Sequence, residues 1–175
     1  MPVKLIYETH SISVDNEEGI ATGWLPGELS KTGRALAAEL GERRRDVDVV
    51  YASDLRRAVQ TAEIAFGDRR EIRLDPRLRE CDYGSYNGRP VSEVAILRSA
   101  YVDTPWPGGQ SYRQVVAETA AFLEDVSAQH QGRSVLVIAH SANRWALQNL
   151  FDGIALEELV DLPFAWQPGW EYDLP

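Results

Sequence analysis

Two short apolar runs, each ending at a histidine, constrain this chain more than any other feature. Val3-Lys4-Leu5-Ile6-Tyr7 leads through Glu8-Thr9 to His10, and Val135-Leu136-Val137-Ile138-Ala139 leads directly to His140. Runs of that length and composition read as buried strands. Strand and helix signals alternate along the chain, which predicts a mainly parallel central sheet covered on both faces, a three-layer α/β/α sandwich. In open sheets of this kind, ligands bind beyond the carboxyl ends of the parallel strands. Two imidazoles 130 positions apart can therefore face one another across a single crevice.

The remaining elements follow the same logic. Ser30 is placed to cap a helix with Leu36, Ala37 and Leu40 on one face. Val47 to Ala52 forms a strand, and Asp54 caps a helix running to about Phe66 with Ala58, Ala62 and Ala65 inward. Ser111 and Gln114 have capping-box spacing ahead of a helix carrying Val115, Thr119, Phe122, Leu123 and Val126 at helical intervals. Trp145, Leu147, Leu150 and Phe151 mark a helix after His140, and Trp170 to Leu174 a closing edge strand. Gly84 to Ser111 is the least regular stretch, rich in Gly, Pro and Ser, and loops of that kind shape binding sites. His130, between Gln129 and Gln131, is expected on the surface, and Trp106 near the pocket.

With 175 residues and 44% apolar content, positions 1–175 make one domain with one ordinary core. A net charge of −9 argues against a nucleic-acid partner, which needs a broad basic surface. Cys81 is the single cysteine, so neither a disulfide nor a cysteine-rich metal cluster is available. No apolar run approaches the roughly 20 residues that span a bilayer, and Met1-Pro2-Val3-Lys4 leads into a strand rather than a signal peptide. The expectation is a cytoplasmic protein without a membrane partner, its oligomeric state open.

Five segments carry the chemistry. They are Thr9-His10-Ser11, Gly23-Trp24-Leu25-Pro26-Gly27 with Glu28-Leu29-Ser30-Lys31-Thr32-Gly33, Ser53-Asp54-Leu55-Arg56-Arg57-Ala58, Leu78-Arg79-Glu80 ahead of Tyr83-Gly84, and Pro107-Gly108-Gly109-Gln110-Ser111 before the second histidine. In this order they resemble the histidine phosphatase superfamily, with its phosphoglycerate-mutase-like fold, nearly end to end. The resemblance implies that His10 is transiently phosphorylated, that His140 contacts the transferring phosphoryl group, and that the Arg57 guanidinium clamps phosphate oxygens. It implies that Glu80 protonates the leaving oxygen and then takes a proton from water, a role that calls for a raised pKa. Asn16 and the backbone N–H of Ser141 are further phosphate donors on the same basis. The implied chemistry needs no cofactor and no metal, and its partner is a small phosphorylated metabolite.

The chain departs from the family where Arg-His-Gly is replaced by Thr9-His10-Ser11. Losing one charge-assisted hydrogen bond costs about 1.5–3 kcal/mol, or roughly one to two orders of magnitude in rate if the bond tightens in the transition state. Thr9 keeps a hydroxyl donor, and Arg79 and Arg144 are the candidates to supply the missing cation. Only 26 residues separate Glu80 from Pro107, too little cover to exclude water, which favours a phosphomonoester hydrolase. The alternatives are phosphoglycerate-mutase-type transfer and a non-catalytic phospho-ligand-binding protein on the same fold. Specificity is expected to reside in Gly84 to Ser111 and in Phe164 to Tyr172.

Overall fold

The computed structural model describes residues 1–175. In chain order the elements are β1 (Val3–Thr9), α1 (Val14–Glu18), β2 (Ile20–Ala21), α2 (Lys31–Arg43), β3 (Val49–Ala52), α3 (Arg56–Phe66) and β4 (Ile72–Leu74), then β5 (Arg89–Pro90), α4 (Val91–Ala95), α5 (Tyr112–Gln129), β6 (Ser134–Ala139), α6 (Ser141–Asp152), α7 (Leu156–Asp161) and β7 (Trp170–Leu174). The central sheet has the order β4-β3-β6-β1-β7. Its first four strands are parallel, and β7 closes the edge antiparallel to β1. No helix is long and apolar enough to cross a membrane.

Strand β6 shows why both faces are covered. Its side chains alternate, so Val135, Val137 and Ala139 join Leu5, Tyr7, Phe122, Val126 and Leu147 beneath α5 and α6. Leu136 and Ile138 point the other way, onto Ile6, Leu40, Val50, Ala58, Ala62 and Phe66 beneath α2 and α3. A third cluster, around Cys81, Tyr83, Trp106, Tyr112, Trp145 and Leu159, joins the Gly84 to Ser111 stretch to α5, α6 and α7. That stretch is less irregular than its composition suggests. It contributes α4 and β5, which pairs with β2 in a two-stranded sheet.

Three expectations are corrected. The cap of α3 is Leu55, without a side-chain cap bond, because Asp54 instead pairs with Arg79. His130 is buried rather than on the surface, with a ring nitrogen 3.0 Å from the Tyr51 hydroxyl, since the end of α5 packs over the sheet. Trp106 does not sit at the pocket: it is buried in the third cluster, stacked on Tyr101 at 4.1 Å. Ser30 and Ser111 do cap α2 and α5, the latter with the full capping box.

Candidate active site

Strand register brings the two histidines together. Thr9 is paired with Ala139, and Ala52 with Ile138, so β1, β6 and β3 end level with one another. The backbone ladder continues one step further, from His10 N–H to Ala139 O at 2.8 Å and from Ser53 N–H to Ile138 O at 3.0 Å. The residues immediately after each strand are therefore neighbours. The rings of His10 and His140 lie with centroids 5.0 Å apart.

Each ring is oriented by a bond to its far side. His10 Nδ1 is 2.7 Å from the carbonyl of Ser11, which acts as acceptor and leaves Nε2 without a proton. Ser11 is itself tethered, its N–H donating to Thr61 Oγ1 at 3.0 Å and its hydroxyl to Gly33 O at 2.6 Å. His140 is fully buried and has Nε2 2.8 Å from Ser53 Oγ. That oxygen also accepts from Leu55 N–H at 3.2 Å, and its own hydrogen is free to pair with Nε2. With Nε2 accepting that hydrogen, the ring proton is on His140 Nδ1, a buried atom with no partner in the protein. The Tyr7 hydroxyl donates to the His140 carbonyl, and Asn143 Oδ1 accepts from the His140 N–H at 3.0 Å.

Charge around the rings is set by burial and by Arg57. Arg57 is buried, and its Nη2 donates to Gly23 O at 2.9 Å and Nη1 to Leu25 O at 3.4 Å, which fixes the Gly23-to-Gly27 loop against the site. Desolvation first and the Arg57 charge second push the His10 imidazole down to about 3. The same two causes hold His140 well below the usual histidine range, with His10 adding to them. Glu80 is buried, and desolvation raises its pKa despite opposition from Arg57 and from the Cys81 N–H, which donates to Oε1 at 2.8 Å. Two neutral imidazoles thus lie beside one guanidinium and one carboxyl group whose pKa is raised by burial.

The other sequence candidates divide. Thr9, Asn16 and Ser141 line the same cleft as His10. Asn16 Oδ1 accepts from Ser13 N–H at 3.0 Å in a capping box, which turns its NH2 outward as a donor. Ser141 is the first residue of α6, where backbone N–H groups have no helical partner. Arg79 and Arg144 do not fill the place of the absent arginine. Arg79 is held by Asp54 through two 2.7 Å bonds and lies over Trp24 at 4.7 Å. Arg144 donates to the Tyr172 hydroxyl and lies over Trp170 at 4.5 Å, drawn off by β7. Sequence reasoning missed Ser53, Tyr7, Asn143 and Trp24, whose indole N–H donates to Glu80 O at 2.6 Å. Ser53 and Trp24 stand inside the quoted motifs, and that was the available signal.

Comparisons with known proteins point to one family. The family model of the histidine phosphatase superfamily (branch 1) matches residues 8–167. Phosphoserine phosphatase 1 of Hydrogenobacter thermophilus is 32% identical over 167 residues, covering 89% of this chain and 79% of that one. A 2,3-bisphosphoglycerate-dependent phosphoglycerate mutase of Chelativorans sp. is 31% identical over 180 residues, covering 92% and 87%. Among solved structures, a mycobacterial glucosyl-3-phosphoglycerate phosphatase in complex with VO3 superposes with a TM-score of 0.79 at 27% identity, over 91% of this chain and 87% of that one. With its paired histidines at level strand ends and the family match over nearly its whole length, the chain belongs to the histidine phosphatase superfamily, branch 1.

Proposed function

We propose that the protein hydrolyses phosphomonoesters through a phosphohistidine on His10. The observation that carries this reading is the Ser11 carbonyl at His10 Nδ1, which leaves a neutral Nε2 as nucleophile facing His140. Nε2 attacks phosphorus, the ester P–O bond breaks, and the leaving oxygen takes the proton of Glu80. Water then attacks the phosphohistidine, Glu80 takes its proton, and the P–N bond breaks to return neutral His10 and phosphate. Arg57 and the His140 Nδ1–H stabilise the phosphoryl oxygens as their charge shifts. Asn16 and the Ser141 N–H are further donors at the open side.

Water is preferred to a sugar acid as acceptor because the Glu80-to-Pro107 segment is short. It folds back onto α5, α6 and α7, with Trp106 and Tyr83 in their shared core. Transfer of the mutase type remains the second reading, favoured by relatives that carry that name. Phosphate release from a panel of monoesters in EDTA, with wild type and His10→Ala side by side, tests the proposal. Turnover present in wild type and absent in the variant is the expected result. Turnover only after addition of a bisphosphorylated primer would shift the assignment to transfer, and binding without turnover from pH 5 to 8 would shift it to a non-catalytic role.

A further inference from the structure

Beside Thr9 and His10 the surface opens into a cleft of about 490 Å3, within the size range of small-molecule sites. Its walls are Leu36 and Leu40 of α2 on one side and Phe164 and Trp166, from the segment between α7 and β7, on the other. These two aromatic residues are 41% and 61% exposed, an unusual amount of apolar surface to leave beside a polar centre. Thr9, much shorter than the family's arginine, lines the cleft and leaves this flank of His10 open.

The cleft also has one built cation. Arg43 gives Nε and Nη2 to the fully buried carboxylate of Glu8, at 3.2 and 2.8 Å, and lies over Trp166 at 6.0 Å. Its Nη1 has no protein partner. Arg44 donates to the same carboxylate at 2.9 Å and reaches Glu171, which Lys4 also meets at 3.2 Å. Three cations thus share two carboxylates, and Arg43 is the one of the three that lines the cleft. Glu39, one turn earlier on α2, lines the cleft without a cationic partner and disfavours negative charge at its own end.

We infer that this cleft is the leaving-group site, and that it takes a bulky, planar, apolar alcohol moiety bearing an anion, with the body against Phe164 and Trp166 and the anion at Arg43. The inference rests on the phosphohistidine reading, because adjacency to His10 is what makes the cleft a leaving-group site. Arg43 is then a specificity residue, anchored by Glu8 from the strand that carries the nucleophile.

Ethyl, benzyl and 4-carboxybenzyl phosphate separate the two contributions, since all three release primary alcohols. Wild type is expected to favour benzyl over ethyl phosphate in kcat/KM by about tenfold, from apolar burial against the aromatic pair. It is expected to favour 4-carboxybenzyl over benzyl by about tenfold through a charge-assisted bond. Trp166→Ala should collapse the first ratio and Arg43→Gln the second, with Arg43→Lys recovering part of it. Ratios taken within one protein cancel any loss of folded enzyme, and Arg44 keeps Glu8 paired in the Arg43 variants. Equal rates for all three esters in wild type, or ratios untouched by either variant, would overturn the cleft assignment. If wild type turns over none of them, the phosphatase reading fails, and calorimetric binding of the same esters to His10→Ala decides the cleft separately. There, a benzyl preference removed by Trp166→Ala supports it, and indifference among the esters overturns it.

Discussion

At the scale of single residues the site works by subtraction of protons. His10 and His140 are held neutral by burial and by Arg57, so the expected nucleophile requires no deprotonation at any pH near neutrality. Nitrogen-15 NMR of the His10 ring should show the Nδ1–H tautomer unchanged from pH 8 down to about 4.5, given a pKa of about 3. A midpoint near the ordinary 6.5 would contradict the arrangement described. Ser53→Ala removes the bond that sets the His140 tautomer and leaves a buried nitrogen unpaired. Its expected effect is a fall in kcat of about tenfold, from the 1–2 kcal/mol that such a bond carries, with KM for small esters nearly constant. His10, Arg57, Glu80 and His140 were legible as candidates because each stands in a short segment with a recognisable order. The contact between Ser53 and His140 was not, since it exists only once three strands end level. Nor did position in sequence reveal that Arg79 and Arg144 have stronger local partners in Asp54 and Tyr172.

At the scale of elements, the ends of strands and the starts of helices do the positioning. Helix α2 approaches the His10 loop so closely that a β-carbon on Gly33 would lie 1.8 Å from the carbonyl oxygen of Ile12. Gly33→Ala should therefore force these two backbones apart, at a cost of about 1–3 kcal/mol by overpacking. Calorimetry would register this as a Tm lower by about 2–10 °C. Because Ser11 Oγ bonds Gly33 O, turnover should fall together with Tm, whereas a stable but inactive variant would point to a different role for the contact. Most elements were readable from apolar periodicity and serine caps. The exceptions were α1, β2, β4, β5, α4 and α7, segments of two to six residues too short to leave a pattern, and the pairing of β2 with β5 joins positions far apart. The Gly84 to Ser111 stretch looked like loop for the same reason: Trp106 and Tyr83 are packed by α5, α6 and α7, and composition alone does not reveal partners.

At the scale of the whole molecule, the two neutral imidazoles couple folding to pH. Unfolded histidine takes up a proton below about 6.5 while folded His10 does not until about 3, so the unfolded state binds more protons in that window. Stability should then fall as pH drops from 6.5. At pH 4.5 the His10 share is at most about 2.7 kcal/mol, from 1.36 kcal/mol per unit, since the ring is partly exposed at the cleft. Glu80 acts with the opposite sign: its folded carboxyl keeps a proton that the unfolded one has lost, so its share declines as pH rises through the raised pKa. Urea unfolding at pH 6.5 and 4.5 should show the acid loss, and His10→Asn should reduce it. A difference independent of that substitution would place the acid sensitivity elsewhere. The fold class could be read from strand and helix alternation, and the cleft at Phe164 and Trp166 only coarsely, as a segment. Finally, β1 and β6 pair residue by residue across more than two thirds of the chain. During synthesis the first histidine therefore emerges long before its neighbour exists, and no growing chain short of β6 holds both rings. Phosphate release is thus a report on long-range strand pairing, and its recovery after dilution from denaturant should follow the slowest step of refolding rather than the early formation of helices.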